Sequence, residues 1–203
     1  MIQIRSLYAV LVCCLLLGCG ETITPLTALP PGATVLAFGD SLTAGYGAPV
    51  GQSYPALLAE RAVLKVENAG VSGELSAAGL QRLPGLLQQH RPQLVILCHG
   101  GNDLLRSTGI ENARSNLLEM INLIQASGAQ VLLLGVPQPG IFLSTADFYN
   151  ELAVQTGVAY LPELMTDVLS DNSLKSDAAH PNAAGYQLIA AGIQDYLFAA
   201  GAL

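Results

Sequence analysis

From Thr34 onward, short apolar runs alternate with longer segments whose apolar positions recur at helical spacing. The runs are Val35-Leu36-Ala37-Phe38, Leu64-Lys65-Val66-Glu67, Leu94-Val95-Ile96-Leu97, Val131-Leu132-Leu133-Leu134 and Val158-Ala159-Tyr160. Most are nearly continuous in apolar residues, the pattern of parallel strands covered on both faces. The segments between them predict helices over about 53–63, 77–90, 110–127 and 145–156, and a last one over about 183–199. This alternation implies right-handed crossovers and a three-layer α/β/α sandwich around a five-stranded parallel sheet. The spacing suits the flavodoxin-like strand order 2-1-3-4-5. In such a sheet ligands bind beyond the carboxyl ends of the strands where the order reverses, here around strands 1, 2 and 3.

The pattern is different before Thr34. Arg5 precedes an uncharged apolar stretch from Leu7 to Gly18, twelve residues long and too short to span a bilayer as a helix. Leu16-Leu17-Gly18-Cys19 then resembles a bacterial lipobox. Residues 1–19 are therefore expected to be a lipoprotein-type signal peptide, with lipidation of Cys19 anchoring an exported, periplasmic protein to a membrane. An ordinary secretory leader cut near Gly18 or Gly20 is the other reading. Residues 20–32 contain Pro25, Pro30 and Pro31, lack clean alternation and read as a tether. Residues 33–203 are expected to form a single domain.

Composition narrows the function classes. With 51% hydrophobic and 11% charged residues the chain can bury a core, which excludes a disordered, solvated protein. A net charge of -7 argues against nucleic-acid binding, which draws on Lys and Arg. Of four cysteines, Cys13 and Cys14 lie in the leader and Cys19 carries lipid, so only Cys98 remains. No intramolecular disulfide is then possible, and Cys98, in an apolar run, reads as a buried core thiol. A monomer is the default state.

The strand ends carry the chemistry. After the first strand comes Gly39-Asp40-Ser41, and after the second Val71-Ser72-Gly73-Glu74. After the third comes His99-Gly100-Gly101-Asn102-Asp103, and near the C-terminus Asp177-Ala178-Ala179-His180-Pro181-Asn182. Taken singly these are turn and capping sequences. Together they provide what a serine hydrolase needs: a nucleophile, a base, a carboxylate to orient the base, and oxyanion donors. Ser41 offers the hydroxyl, His180 the base and Asp177 its orienting carboxylate. The backbone N–H groups of Ser41 and Gly73 and the Asn102 amide are the candidate oxyanion donors. Pro181 keeps His180 out of helical backbone, and Asn182 can cap the last helix.

This set resembles the SGNH/GDSL hydrolase family, whose four blocks of Ser, Gly, Asn and His are matched in order by Ser41, Gly73, Asn102 and His180. Asp177 matches the family's Asp-x-x-His pair. The flanking stretches Ser53-Tyr54-Pro55-Ala56-Leu57-Leu58, Gly79-Leu80-Gln81-Arg82-Leu83-Pro84 and Gly100 to Arg106 are most similar to its bacterial thioesterase, lysophospholipase and arylesterase subgroup. The resemblance implies a shallow, lidless site and broad hydrolysis of acyl esters and thioesters. Two features depart from it. Cys98-His99 stands where the subgroup commonly has an acidic residue and an apolar one. The segment 137–143 also follows the family less closely, and its Ile141, Phe142 and Leu143 are candidates to line the acyl pocket.

His99, next to the buried third strand, is expected to be a satisfied histidine rather than a rival base. His90 is expected to meet a helix C-terminus, and Asp40 and Asp103 to shape their loops. No metal or cofactor is called for, since paired ligands at metal spacing, a Gly-x-Gly-x-x-Gly fingerprint and a Walker lysine are all missing. Gly-x-Ser-x-Gly is missing as well, which disfavours an α/β-hydrolase-fold esterase. Two alternatives stay open: a carbohydrate O-acetyl esterase, and a surface-anchored acyl- or glycan-binding module without turnover.

Overall fold

The structure, a computed structural model, describes residues 23–106 and 109–203. The proposed signal peptide, with Cys19, lies outside the described residues. Among the described residues seven strands are formed: β1 (Thr34–Gly39), β2 (Lys65–Gly70), β3 (Leu94–Cys98), β4 (Gln130–Leu134), β5 (Pro137–Gln138), β6 (Ser144–Thr145) and β7 (Ala159–Leu161). The helices are α1 (Ser41–Ala44), α2 (Tyr54–Ala62), α3 (Ser76–His90), α4 (Gly101–Leu105), α5 (Ile110–Ala126), α6 (Asp147–Thr156), α7 (Leu164–Ser170) and α8 (Ala183–Ala199). Five strands build one parallel sheet in the order β2-β1-β3-β4-β7. This is the order expected from the alternation of strands and helices.

The apolar runs occupy the middle of the sheet. β1 and β3 are buried along their whole length, and β4 everywhere but at Gln130. Helices α2 and α8 pack against each other, and α3 and α6 pack on either side of α5. Because the crossovers before and after β2 run in opposite directions, right-handed connections put these two groups on opposite faces. β2 is an edge strand and only half covered. That is why Lys65, Glu67 and Asn68 interrupt its apolar pattern, and why Lys65 and Glu67 can pair in the open at 3.3 Å. Among the described residues no helix is long and apolar enough to cross a membrane.

Three local readings change. The segment over 139–143 is the turn of a small antiparallel hairpin pairing β5 with β6, Pro137 opposite Thr145 and Gln138 opposite Ser144. The helix expected from position 145 therefore starts at Asp147. The Thr145 hydroxyl is held by the Pro162 carbonyl at 2.9 Å and by Thr166. The stretch read as a tether is, over 26–29, part of the body. Leu26 N–H donates to the Ala200 carbonyl at 2.8 Å and Leu29 N–H to that of Ala202 at 2.9 Å. Thr27 exchanges two hydrogen bonds with the Gln130 side-chain amide. Leu26 and Leu29 pack on the core between prolines that rule out a helix, so the docking has no periodicity to betray it.

Candidate active site

The carboxyl ends of β1 and β3 and the loop before α8 bring Ser41, Asn102 and His180 to one cavity. Ser41 begins α1, directly after Asp40, whose carboxylate caps that helix by accepting the Leu42 N–H at 3.1 Å. As a first-turn residue Ser41 has no intrahelical acceptor for its own N–H. Its hydroxyl lies 3.0 Å from His180 Nε2. His180 Nδ1 lies 2.9 Å from both oxygens of Asp177. A nitrogen facing a carboxylate carries the proton, so the neutral ring presents a lone pair to Ser41.

The His180 loop is built from its own sequence. Asp177 Oδ1 accepts the backbone N–H groups of Ala179 and His180 at 2.8 and 3.0 Å, closing a tight turn under the ring. Burial pushes the Asp177 carboxyl up, but those N–H groups and His180 outweigh it and hold it below the ordinary aspartate value. Pro181 stands in a bridge with Lys175, and Asn182 caps α8 by accepting the Gly185 N–H at 3.1 Å. The Tyr46 ring lies over the imidazole, centroids 4.5 Å apart and tilted by 51°. Tyr186, rooted in α8, donates its hydroxyl to the Tyr46 carbonyl at 2.9 Å and so ties α8 to the loop after α1.

Asn102 lies in α4, and its Nδ2 donates to Asp40 Oδ2 at 3.3 Å. An amide nitrogen has two hydrogens, so this bond orients the side chain and leaves one donor for a ligand. Burial is the main influence on Asp40 and pushes its carboxyl above the usual range, against the pull of His99, the Leu42 N–H, His180 and Asn102. Asp103 likewise serves structure, accepting the Ser76 N–H at 2.9 Å and its hydroxyl at 2.8 Å. Gly73 lies on the loop after β2 with φ +78°, and a Cβ there would come only within 3.7 Å of Arg106. The backbone conformation, rather than access, therefore calls for glycine. Its carbonyl accepts from Arg106 Nη2 at 3.3 Å.

The cavity measures about 340 Å³, and its apolar lining includes Leu42, Leu105, Val136, Pro139, Leu143 and Leu169. Of the three residues singled out in sequence, Leu143 lines it. Ile141 and Phe142 do not: they are 97% and 87% exposed, because the hairpin turn carries them into solvent. Cys98 is a fully buried free thiol pushed well up by that burial, which keeps it protonated and unreactive. His99 is buried and fully hydrogen-bonded, away from the cavity lining.

Residues 37–188 match the model of the GDSL-like lipase/acylhydrolase family. The chain belongs to this family. It is 35% identical to Esterase TesA of Pseudomonas aeruginosa over 178 residues, covering 82% of this chain and 88% of the relative. It is 36% identical to Thioesterase 1/protease 1/lysophospholipase L1 of Escherichia coli K12 over 157 residues, covering 73% of this chain and 76% of the relative. The crystal structure of the psychrotrophic esterase EstA from Pseudoalteromonas sp. superposes with a TM-score of 0.75 at 26% identity, covering 82% of this chain and 97% of that one. As a GDSL-like acylhydrolase the chain is a serine ester hydrolase, as the pattern of Ser, Gly, Asn and His blocks leads one to expect.

Proposed function

We propose that this hydrolase cleaves carboxylic esters and acyl thioesters through an acyl-enzyme on Ser41. One observation carries the reading: His180 links Ser41 Oγ at 3.0 Å to Asp177 at 2.9 Å, and Ser41 and His180 line a mostly apolar cavity. His180 Nε2 takes the Ser41 proton as Oγ attacks the acyl carbonyl, and Asp177 steadies the imidazolium that results. The oxyanion develops toward the N–H groups of Ser41 and Gly73 and the free Asn102 N–H. His180 then protonates the leaving alcohol or thiol. Water, deprotonated by the same ring, releases the acid. Export and anchoring through Cys19 belong to the same proposal and rest on the lipobox-like sequence of residues 16–19.

The cavity points to acyl chains longer than acetyl. A buried methylene contributes about 0.8 kcal/mol, so each one bound in the transition state raises kcat/KM by roughly fourfold at most. Across p-nitrophenyl esters kcat/KM is expected to climb from acetyl to hexanoyl and to stop climbing before palmitoyl. A maximum at acetyl with a collapse at butanoyl would favour the O-acetyl esterase reading.

Tyr46 is expected to assist the charged form of His180. The aromatic face stabilises the imidazolium by about 0.5–1 kcal/mol at an exposed site. Tyr46→Ala should therefore lower kcat about two- to fivefold, and Tyr46→Phe should restore it. Equal loss in both variants would locate the effect in the hydroxyl instead.

A further inference from the structure

Behind the catalytic cavity lies a second cluster, which the mechanism above does not use. The Glu74 side chain is only 7% exposed. Its Oε1 accepts from Arg82 Nε at 2.7 Å, while its Oε2 accepts from Arg82 Nη2 at 2.6 Å and from His99 Nε2 at 3.1 Å. Arg82 Nη2 also donates to the carbonyls of Gly39 at 3.1 Å and Ala69 at 2.8 Å. The guanidinium lies 4.2 Å above the Phe38 ring. His99 Nδ1 accepts the Gly100 N–H at 2.9 Å, so its proton sits on Nε2, facing Glu74. Burial pushes Glu74 up, but Arg82 and His99 overcome it and keep the carboxylate charged.

The cluster spans the three strand ends that carry the reacting groups. Gly39 ends β1 two residues before Ser41, and Ala69 lies near the end of β2. Glu74 directly follows Gly73, and His99 leads through Gly100 into α4 and Asn102. Helix α3 has made room for it. A Cβ on Gly79 would fall 2.5 Å from His99 Nε2 and 3.3 Å from Glu74 Oε2. His99 also stands at one of the two places where the sequence departs from its subgroup.

Building on the oxyanion assignment above, we propose that Glu74, clamped by Arg82 and His99, is a positioning residue that sets the Gly73 loop against the Asn102 helix. Glu74 is not among the residues that line the cavity. It fixes two donors, which follow different strands, relative to each other. Donors misplaced by a fraction of an ångström still admit the planar ester but stabilise the transition state less. The signature is thus a loss in kcat with KM kept.

The test is a double-mutant comparison on a p-nitrophenyl ester. Glu74→Gln keeps the shape and removes the charge, and is expected to lower kcat roughly tenfold, part of the 10²–10³-fold carried by one donor, with KM within about twofold. In an Asn102→Ala background, with that donor already gone, the same change should cost less than about threefold. An equal factor in both backgrounds, or a rise in KM matching the loss in kcat/KM, overturns the proposal. Asn102→Ala retaining full kcat would instead overturn the donor assignment beneath it. Should Glu74→Gln not fold, His99→Asn carries the same comparison, because it releases Gly100 and leaves the Arg82–Glu74 pair intact.

Discussion

Ser41→Ala is expected to lower kcat on a p-nitrophenyl ester by 10³-fold or more while substrate still binds. The reason lies in the short chain of contacts from Asp177 through His180 to Ser41. Among the described residues, Ser41 Oγ is the hydrogen-bond partner of His180 Nε2, the ring nitrogen turned away from Asp177, at 3.0 Å. Without it the base has no nucleophile to activate, and what remains is water attack on a bound ester near the oxyanion donors. His180→Ala should cost a similar factor, since a serine hydroxyl without its base is a poor nucleophile. The double variant should be little worse than either one, because the two groups act as a unit. Steady-state kinetics on the three variants decide the matter. Turnover unchanged in Ser41→Ala would remove Ser41 from the mechanism, and losses that multiply in the double variant would mean that the two residues act separately.

Asn102→Ala should lower kcat by about 10²–10³-fold with KM nearly unchanged. The amide is oriented by a buried carboxylate: one N–H is engaged by Asp40 at 3.3 Å, and the other is free for the oxyanion. A donor held this way gains little from the ground-state carbonyl and most from the charged intermediate. A fall in kcat/KM that arises wholly from KM would assign Asn102 to substrate binding instead. The same geometry gives Asp40 a positioning role: one oxygen caps α1 at Leu42 and the other orients Asn102.

Much of this molecule is legible from local sequence, for physical reasons. Val35 to Phe38 and Leu94 to Leu97 are apolar without interruption because β1 and β3 lie in the middle of the sheet. Ser41, Asn102, Asp177 and His180 were recognisable because acyl transfer needs those functional groups and the topology brings their loops to one end of the sheet. Pro181 and Asn182 mark the end of the His180 loop by backbone restriction and capping, both strictly local effects. α1 and α4 leave no mark in the sequence because four or five residues are too few to show a helical period.

Other features left no local trace. Glu74 and Arg82 stand in what reads as a turn and an amphipathic helix, and nothing near them announces a carboxylate that joins three strand ends. Tyr46 reads as a loop tyrosine until the chain brings it against His180, far along the sequence. Leu26 and Leu29 read as a spacer until α8 ends beside them.

The sequence by itself determined the alternation of strands and helices, hence the sheet order, and the chemical identity of the groups at the strand ends. These follow from hydrophobic period, crossover handedness and backbone restriction, which act over a few residues or through a general topological rule. Only the tertiary structure decided which residues enclose the acyl cavity, that Ile141 and Phe142 turn to solvent while Leu143 faces inward, and that Glu74, Arg82 and His99 form one clamp. Those outcomes depend on pairs of side chains that the fold brings together from far apart in the chain, and no local periodicity encodes such a pairing.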